Sequence, residues 1–213
     1  MMEYLSNPKA RCPITQASDL SNPEIVLATF KYRAAFLIAK AVHNIDVEQK
    51  TWNDMLVDIY RISRAHCQLV LVSNFIKAVF GPNAPTSNEN RVLQKVAILF
   101  AVSTLEQEMA DFLTSGYVSP EQSLLVKERS IQLLKELRPD VVALVDAFGF
   151  PDYLLQSSLG AQDGDVYTRI TRAAELEPLN QKKVADGYEE YIKPFVHGGQ
   201  GKWKIGKDGI ARL

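Results

Sequence analysis

The chain lacks the features that mark several common protein classes. Its two cysteines, Cys12 and Cys67, lie far apart, which argues against a disulfide-stabilised scaffold and a zinc site and suits a reducing compartment. No apolar run approaches the about 18 residues that a membrane-spanning helix needs, and the first residues form no charged-then-apolar signal sequence. We therefore expect synthesis in the cytosol, with any import depending on another signal.

An excess of charge of one sign is also missing. The 24 lysines and arginines nearly balance the 25 aspartates and glutamates, for a formal net charge of -1. No global field would therefore attract nucleic acid or an anionic membrane, and we expect neither as a partner. Hydrophobic residues make up 46% of the 213 residues, which is typical of a soluble globular protein with a sizeable core.

Apolar residues recur every three to four positions in four long segments, and no segment alternates with a period of two. The predicted long helices cover residues 23–45, 52–80, 86–116 and 120–138. Shorter helices are predicted at residues 140–148, 152–159, 166–176 and 179–192. Helices of this length, joined by short Pro/Gly turns, predict an all-α fold: an antiparallel bundle with the short C-terminal helices packed on one end or side, and no sheet.

Breakers and glycines divide the chain into three expected parts. Residues 1–22 show no periodicity and are predicted to form an extended N-terminal arm or linker. Residues 23–194 form the helical domain, and residues 195–213 form a flexible tail rich in glycine and lysine.

The last three residues, Ala211-Arg212-Leu213, are small, basic and leucine. They resemble the Ser-Lys-Leu type of peroxisomal targeting signal. A receptor can hold the terminal carboxylate, a pocket can take Leu213, and acidic groups can meet Arg212. The alternative is chance, since such a match occurs in roughly a few per thousand random C-termini.

Gly201 to Asp208 is a near miss to a phosphate-binding loop, but Asp208 replaces the required hydroxyl and no strand precedes it. A flexible tail is the better interpretation. Asp163-Gly164-Asp165 resembles a calcium loop without its later ligands, so we expect Asp165 to cap the helix that follows. Paired Glu-x-x-His motifs, which a four-helix metal bundle needs, are missing.

Four other polar residues are candidates for chemistry. His66 is predicted on an apolar helix face, where a buried, hydrogen-bonded histidine is favoured over a ligand or base; His43 is predicted to be exposed. Glu106 and Glu108 point about 200° apart on a helix, so they are expected to be solvated and not an acid pair.

Asp146 lies inside an apolar run. A buried carboxylate needs a partner, so we expect it to meet a backbone amide or a basic side chain such as Arg33.

Several short blocks are specific in their order and separation. They are Phe30 to Ala35, Ala65-His66-Cys67 before an apolar run, Pro139 followed by Ala143 to Asp152, Leu159-Gly160, Asp163-Gly164, Val166-Tyr167, and Tyr188, Tyr191 and Lys193-Pro194. Over roughly residues 22–194 these blocks resemble the C-terminal helical domain of the peroxisomal acyl-CoA oxidases.

The resemblance implies a flavoenzyme activity for the complete protein. In that family a glutamate takes a proton from Cα of a fatty acyl-CoA, and the flavin of FAD accepts a hydride from Cβ. The reduced flavin then passes its electrons to oxygen, which gives hydrogen peroxide. The family builds this site from other domains, so the resemblance implies no catalytic, FAD-binding or metal-binding residue in this chain. FAD is expected in the full-length enzyme and not in this fragment alone.

The role implied for the chain is structural. It would pack on the remaining oxidase domains, help to form a homodimer, partly shield the active-site cleft and present the targeting tripeptide to the peroxisomal import receptor. Peroxisomal location follows from the same resemblance. The alternative is a stand-alone helical interaction module in the peroxisome without oxidase activity.

Overall fold

A computed structural model of the chain describes residues 7, 9–196, 204–205 and 211–212. The α-helices in these ranges are α1 (Pro23–Asp46), α2 (Leu56–Phe80), α3 (Asn88–Gln107), α4 (Met109–Ser115), α5 (Pro120–Leu137), α6 (Val141–Asp146), α7 (Asp152–Leu155), α8 (Val166–Leu176) and α9 (Lys193–Val196). Short 3₁₀ helices cover Ala17–Ser21, Asn53–Met55, Arg138–Asp140 and Pro178–Gln181, and a π-helical turn covers Tyr188–Ile192.

The prediction of an all-α fold is confirmed. The strands in the described part of the chain are β1 (Lys204–Ile205) and β2 (Ala211–Arg212), which pair antiparallel with Ile205 opposite Ala211. A sequence pattern of period two could not show them, because two residues are too few to alternate.

The described residues fall into two compact units that divide between Val145 and Asp146. In the first unit α1 packs against α2, α2 against α3, and α3 against α5. The largest fully buried side chains at their centre include Leu20, Phe30, Val72, Val102, Leu105, Phe112, Val126 and Leu133. The bundle therefore has a continuous apolar core.

Local sequence explains where most of these helices begin. The Asn22 side chain accepts a hydrogen bond from the Glu24 amide, with Pro23 in the first turn of α1. Ser119 and Gln122 form a capping box at the start of α5. At the start of α3 the Ser87 side chain accepts a hydrogen bond from the Asn90 amide.

The predicted helix at residues 86–116 is interrupted. Glu108 has φ -100° and ψ 17°, outside the helical region, and separates α3 from α4. Apolar residues continue on both sides of this break, so periodicity alone predicted one helix. The break matters for function because it turns α4 toward α1 and α2.

The N-terminal segment packs against the bundle. The Cys12 amide donates to the Tyr117 carbonyl oxygen at 2.8 Å. Gln122 Nε2 donates to the carbonyl oxygens of Cys12 at 2.8 Å and Ile14 at 2.9 Å. Leu20, in the following 3₁₀ helix, is completely buried. The residues before α1 therefore contribute to the core of the first unit.

The second unit has very little core. Of its described residues up to position 196, only Ala161 is buried. Its exposed large apolar side chains include Phe148, Phe150, Tyr153, Leu154, Leu159, Tyr167, Leu176, Leu179, Tyr191 and Phe195. A segment with so much apolar surface and so little burial depends on packing against something else.

Candidate functional site: a buried ion cluster under an apolar helix face

A buried arginine organises the first unit. Arg33 on α1 has a side chain only 2% exposed. Its Nε donates to Asp111 Oδ2 at 2.8 Å, and its Nη2 donates to Glu108 Oε2 at 2.7 Å. Its Nη1 donates to Gln68 Oε1, and the guanidinium lies over the Phe112 ring, 6.0 Å from the centroid. These bonds satisfy the guanidinium away from water.

Helix α2 adds two more cations to this cluster. Arg61 Nη2 donates to Asp111 Oδ1, and Arg64 Nη2 donates to Glu108 Oε1 at 2.8 Å. The side chains of Arg61 and Arg64 are 46% and 49% exposed, so they close the cluster from the solvent side. We call Arg33, Arg61, Arg64, Glu108 and Asp111 the ion cluster; with three guanidinium groups and two carboxylates it carries a net positive charge.

The sequence-based predictions did not include the ion cluster. Glu108, predicted to be solvated, is only 15% exposed, and that prediction was wrong; Glu106 is exposed as predicted. Glu108 points inward because it lies at the break between α3 and α4 and pairs with Arg33. A usable signal was present: acids at positions 108 and 111, and arginines at 61 and 64, share the three-residue spacing of one helix face.

A cavity of about 70 Å³ lies beside the cluster between α1, α2 and α4. It is lined by Lys40, Asp58, Arg61 and Asp111, together with apolar side chains. It has room for water and not for a cofactor. Both Asp111 oxygens already accept hydrogen bonds from arginines, which leaves this carboxylate poorly suited to act as a base.

The cavity of the second unit does not suit FAD. It has a volume of about 560 Å³ and is lined by Asp152, Asp163 and Asp165 and also by Arg169 and Arg172. Arg169 is already paired with Asp152 at 3.0 Å and Asp163 at 2.8 Å. Carboxylates in excess over guanidinium groups would repel a pyrophosphate, so no catalytic step is assigned to a flavin here.

The described ranges contain neither a candidate metal site nor a candidate membrane-spanning helix. No group of three His, Cys, Asp or Glu residues there is placed to hold a metal ion. No helix in the described part of the chain is both long and apolar enough to span a bilayer.

Two single-residue predictions were wrong. His66 is exposed, because the buried position of that turn of α2 is taken by Ala65, which is 1% exposed. Asp146 is exposed at the end of α6, and Arg33 is engaged by Glu108 and Asp111 instead. His43 is exposed, as predicted.

Asp165 stands at the predicted N-cap position of α8, but its side chain makes no capping hydrogen bond. Its amide instead donates to Asp163 Oδ1 at 3.0 Å. Two residues of the predicted targeting tripeptide, Ala211 and Arg212, form β2, whereas Leu213 and residues 197–203 lie outside the described residues. The targeting function of the tripeptide stays a prediction.

The first unit is an all-α bundle around a buried arginine–carboxylate cluster. Comparison with known proteins gives its family. The family model described as Acyl-CoA oxidase matches residues 22–197. The chain belongs to the acyl-CoA oxidase family.

Individual relatives agree with this family. The chain is 34% identical over 191 residues to peroxisomal acyl-coenzyme A oxidase 1 of Arabidopsis thaliana, which covers 88% of this chain and 29% of the relative. It is 33% identical over 212 residues to peroxisomal acyl-coenzyme A oxidase 1 of Phascolarctos cinereus, covering 92% and 31% of the two chains. The chain thus spans under a third of the length of these relatives.

Solved structures show the same fold. The structure of acyl-CoA oxidase 1 from Arabidopsis thaliana superposes with a TM-score of 0.82 at 31% identity, covering 92% of this chain and 30% of that one. Acyl-CoA oxidase-1 of Caenorhabditis elegans, solved in complex with FAD and ATP, superposes with a TM-score of 0.73 at 27% identity, covering 82% and 27%.

Proposed function

We propose that the chain is the C-terminal helical domain of a peroxisomal acyl-CoA oxidase. The complete protein would oxidise a fatty acyl-CoA to the trans-2-enoyl-CoA with FAD and reduce O₂ to H₂O₂, as a step of fatty acid β-oxidation. The support is the family match over residues 22–197 together with the coverage of under a third of the oxidase relatives.

The observation that carries the proposed role is the second unit, where a nearly complete lack of burial accompanies many exposed apolar side chains. Monomeric soluble proteins rarely expose contiguous apolar patches of more than a few hundred Å². The proposed role is therefore to pack on the flavin-binding domains of the oxidase, to support its homodimer and to shield its active-site cleft.

We assign no residue of this chain a role in the oxidation of the acyl-CoA. The catalytic glutamate and the FAD would come from the remaining domains, and fatty acyl-CoA would bind to the full-length enzyme. We expect the isolated chain to be colourless and unable to oxidise palmitoyl-CoA. A yellow preparation with a flavin spectrum would contradict this expectation.

Peroxisomal localisation is part of the proposal. The relatives are named peroxisomal oxidases, and Ala211, Arg212 and Leu213 would present the signal to the import receptor. A fluorescent protein fused to the N-terminus of the chain should enter peroxisomes, and the same fusion lacking Leu213 should stay in the cytosol.

Reconstitution from two chains tests the oxidase assignment. The Arabidopsis enzyme would be expressed without the part that matches residues 22–197, and this chain would be added in trans. We expect palmitoyl-CoA-dependent H₂O₂ production to rise only in the mixture. An equal rate with and without the chain would argue against the proposed role.

A further inference from the structure

Helix α2 carries apolar residues on both its inner and its outer side. Its inner side supplies Ala65, Val72, Ile76 and Val79 to the core. Its opposite side exposes large apolar groups: Leu56 is 54% exposed, Val57 72%, Tyr60 66% and Leu71 58%. Exposed apolar patches often mark surfaces that bind other protein. The outer side of α2 is therefore a candidate docking surface.

The spacing of the outer residues indicates what kind of surface covers them. Seven of the exposed positions of α2 are separated by three and four residues in turn: Val57, Tyr60, Arg64, Cys67, Leu71, Asn74 and Ala78. We call these seven residues the outer stripe. Alternating spacings of three and four place side chains along one seam, about 30 Å long here, of the kind that packs against another helix.

The charge of the outer stripe restricts the partner further. Arg64 lies in its middle and belongs to the ion cluster, which has one more guanidinium group than carboxylates. Covering the stripe would remove Arg64 from water. Arg64 is already paired with Glu108, but a covered cluster with one guanidinium group in excess is unfavourable, so we expect the covering surface to bring a balancing carboxylate.

A second copy of this chain does not meet that requirement through the same stripe. Outside the inner side, the charged residues of α2 are Arg61, Arg64 and Lys77, and its one acid, Asp58, is half-buried beside the cavity. Two such stripes would place positive charge against positive charge. The occupant is therefore a different surface.

We propose that the outer stripe of α2 is the docking surface for the part of the acyl-CoA oxidase that lies outside this chain, and that a helix of that part places a carboxylate on Arg64. This inference rests on the proposed function, since it takes the remaining oxidase domains as the partner. It adds which face of this chain docks, that a helix packs on that face, and that the partner carries a negative charge there.

Binding to the truncated Arabidopsis oxidase tests the docking surface. The full 213-residue chain would be titrated against immobilised truncated oxidase that retains its flavin colour. Leu71→Lys should weaken binding by about tenfold or more. Leu124→Lys is the matched control, because Leu124 is 67% exposed on α5 and away from the stripe; its affinity should stay within about twofold of wild type.

Substitution of Arg64 tests whether the partner brings a carboxylate, because the direction of the change in affinity depends on it. Arg64→Gln should weaken binding by about tenfold and reduce its salt dependence, because the partner's carboxylate loses its ion pair. Arg64→Lys should recover part of the loss. Tighter binding of Arg64→Gln would show that no carboxylate of the partner faces Arg64, because removing the excess charge of the cluster relieves its desolvation cost.

The outcomes separate this inference from the proposed function. Binding that Leu71→Lys leaves unchanged overturns the docking surface and leaves the proposed function standing. No binding of the wild-type chain overturns both. Dimers of the chain that Leu71→Lys dissociates would identify a second copy as the occupant and overturn the inference.

Melting temperature and helical circular dichroism of each free variant establish that it is folded. If the truncated oxidase loses its flavin, a chimera provides the second readout. In the chimera, residues 22–197 replace the matching part of the Arabidopsis enzyme, and flavin retention is compared for the same variants. Equal flavin retention by the Leu71→Lys and Leu124→Lys chimeras would overturn the docking surface.

Discussion

Arg33 and Asp111 lie 78 positions apart in the sequence, yet Arg33 Nε donates to Asp111 Oδ2 at 2.8 Å with both side chains almost fully buried. This contact ties α1 to α4 and depends on the helix break at Glu108. The sequence blocks that resemble acyl-CoA oxidases include Arg33 but not its two acidic partners. The pair is thus a structural centre that motif comparison alone does not reveal.

Removal of Arg33 should destabilise the first unit strongly. Arg33→Ala leaves Asp111 and Glu108 inside the protein with fewer cationic partners, and breaking a buried pair in this way costs about 3–5 kcal/mol. Lys182→Ala is the control, because its ion pair with Asp186 is exposed and should contribute less than about 1 kcal/mol. Urea unfolding measures both; an Arg33→Ala variant as stable as the control would contradict the assigned role.

Gln122 should contribute more to the free energy of unfolding than a surface glutamine normally does. Its Oε1 accepts from the Ser119 amide, and its Nε2 donates to the carbonyl oxygens of Cys12 and Ile14. Gln122→Ala removes all three bonds and should cost about 2 kcal/mol. Gln132→Ala on the same helix loses only a bond to an exposed glutamate, Glu128, and a long bond from Arg129. Equal midpoints in urea for the two variants would refute the anchoring role.

Periodicity and capping signals predicted the class of fold and most helix starts, because each depends on residues within a turn of one another. The break at Glu108 was not predictable in this way. Glu108, the residue at the break, pairs with Arg33, and no local window contains both residues. The prediction for His66 was wrong for a related reason. Apolar residues lie on more than one side of α2, so the sequence does not indicate a single buried stripe. Only the packing of the bundle places Ala65, and not His66, at the buried position.

The two cysteines should differ sharply in reactivity. Cys67 is exposed on α2, whereas Cys12 is 4% exposed and burial raises its thiol pKa. Since the thiolate is the reactive form, a native-state thiol assay should label one cysteine quickly and the other only after unfolding. Cys67→Ser should remove the fast phase. Two fast phases in the native wild type would contradict the packing of the N-terminal segment.

The acidic residues of the second unit should respond to pH in a defined direction. Hydrogen bonds from Arg169 hold the pKa of Asp163 below its ordinary value. A carboxylate with a lowered folded pKa stabilises the fold above its unfolded pKa of about 3.9, and that stabilisation is lost as the pH falls through the folded pKa. Carboxyl NMR titration should show the Asp163 pKa rising in Arg169→Gln. An unchanged midpoint would show that Arg169 does not cause the shift.

The candidate site was only partly accessible from sequence. The family resemblance led to the expectation of no catalytic residue in this chain, and it pointed to partners outside it. The ion cluster emerged only from the structure, since its members come from α1, α2, α4 and the break before α4, and the outer stripe required the exposure of each α2 residue. Charges three residues apart indicate a shared helix face, but they do not say which other helix that face meets.

The most direct test of the proposed docking of this chain on other oxidase domains is hydrogen exchange on residues 146–196, measured for the chain alone and with the truncated Arabidopsis enzyme. Because this unit buries almost nothing by itself, its amides should exchange rapidly in the free chain and at least about tenfold more slowly in the complex. Protection in the free chain equal to that of α1, with no change on adding the oxidase, would contradict the account.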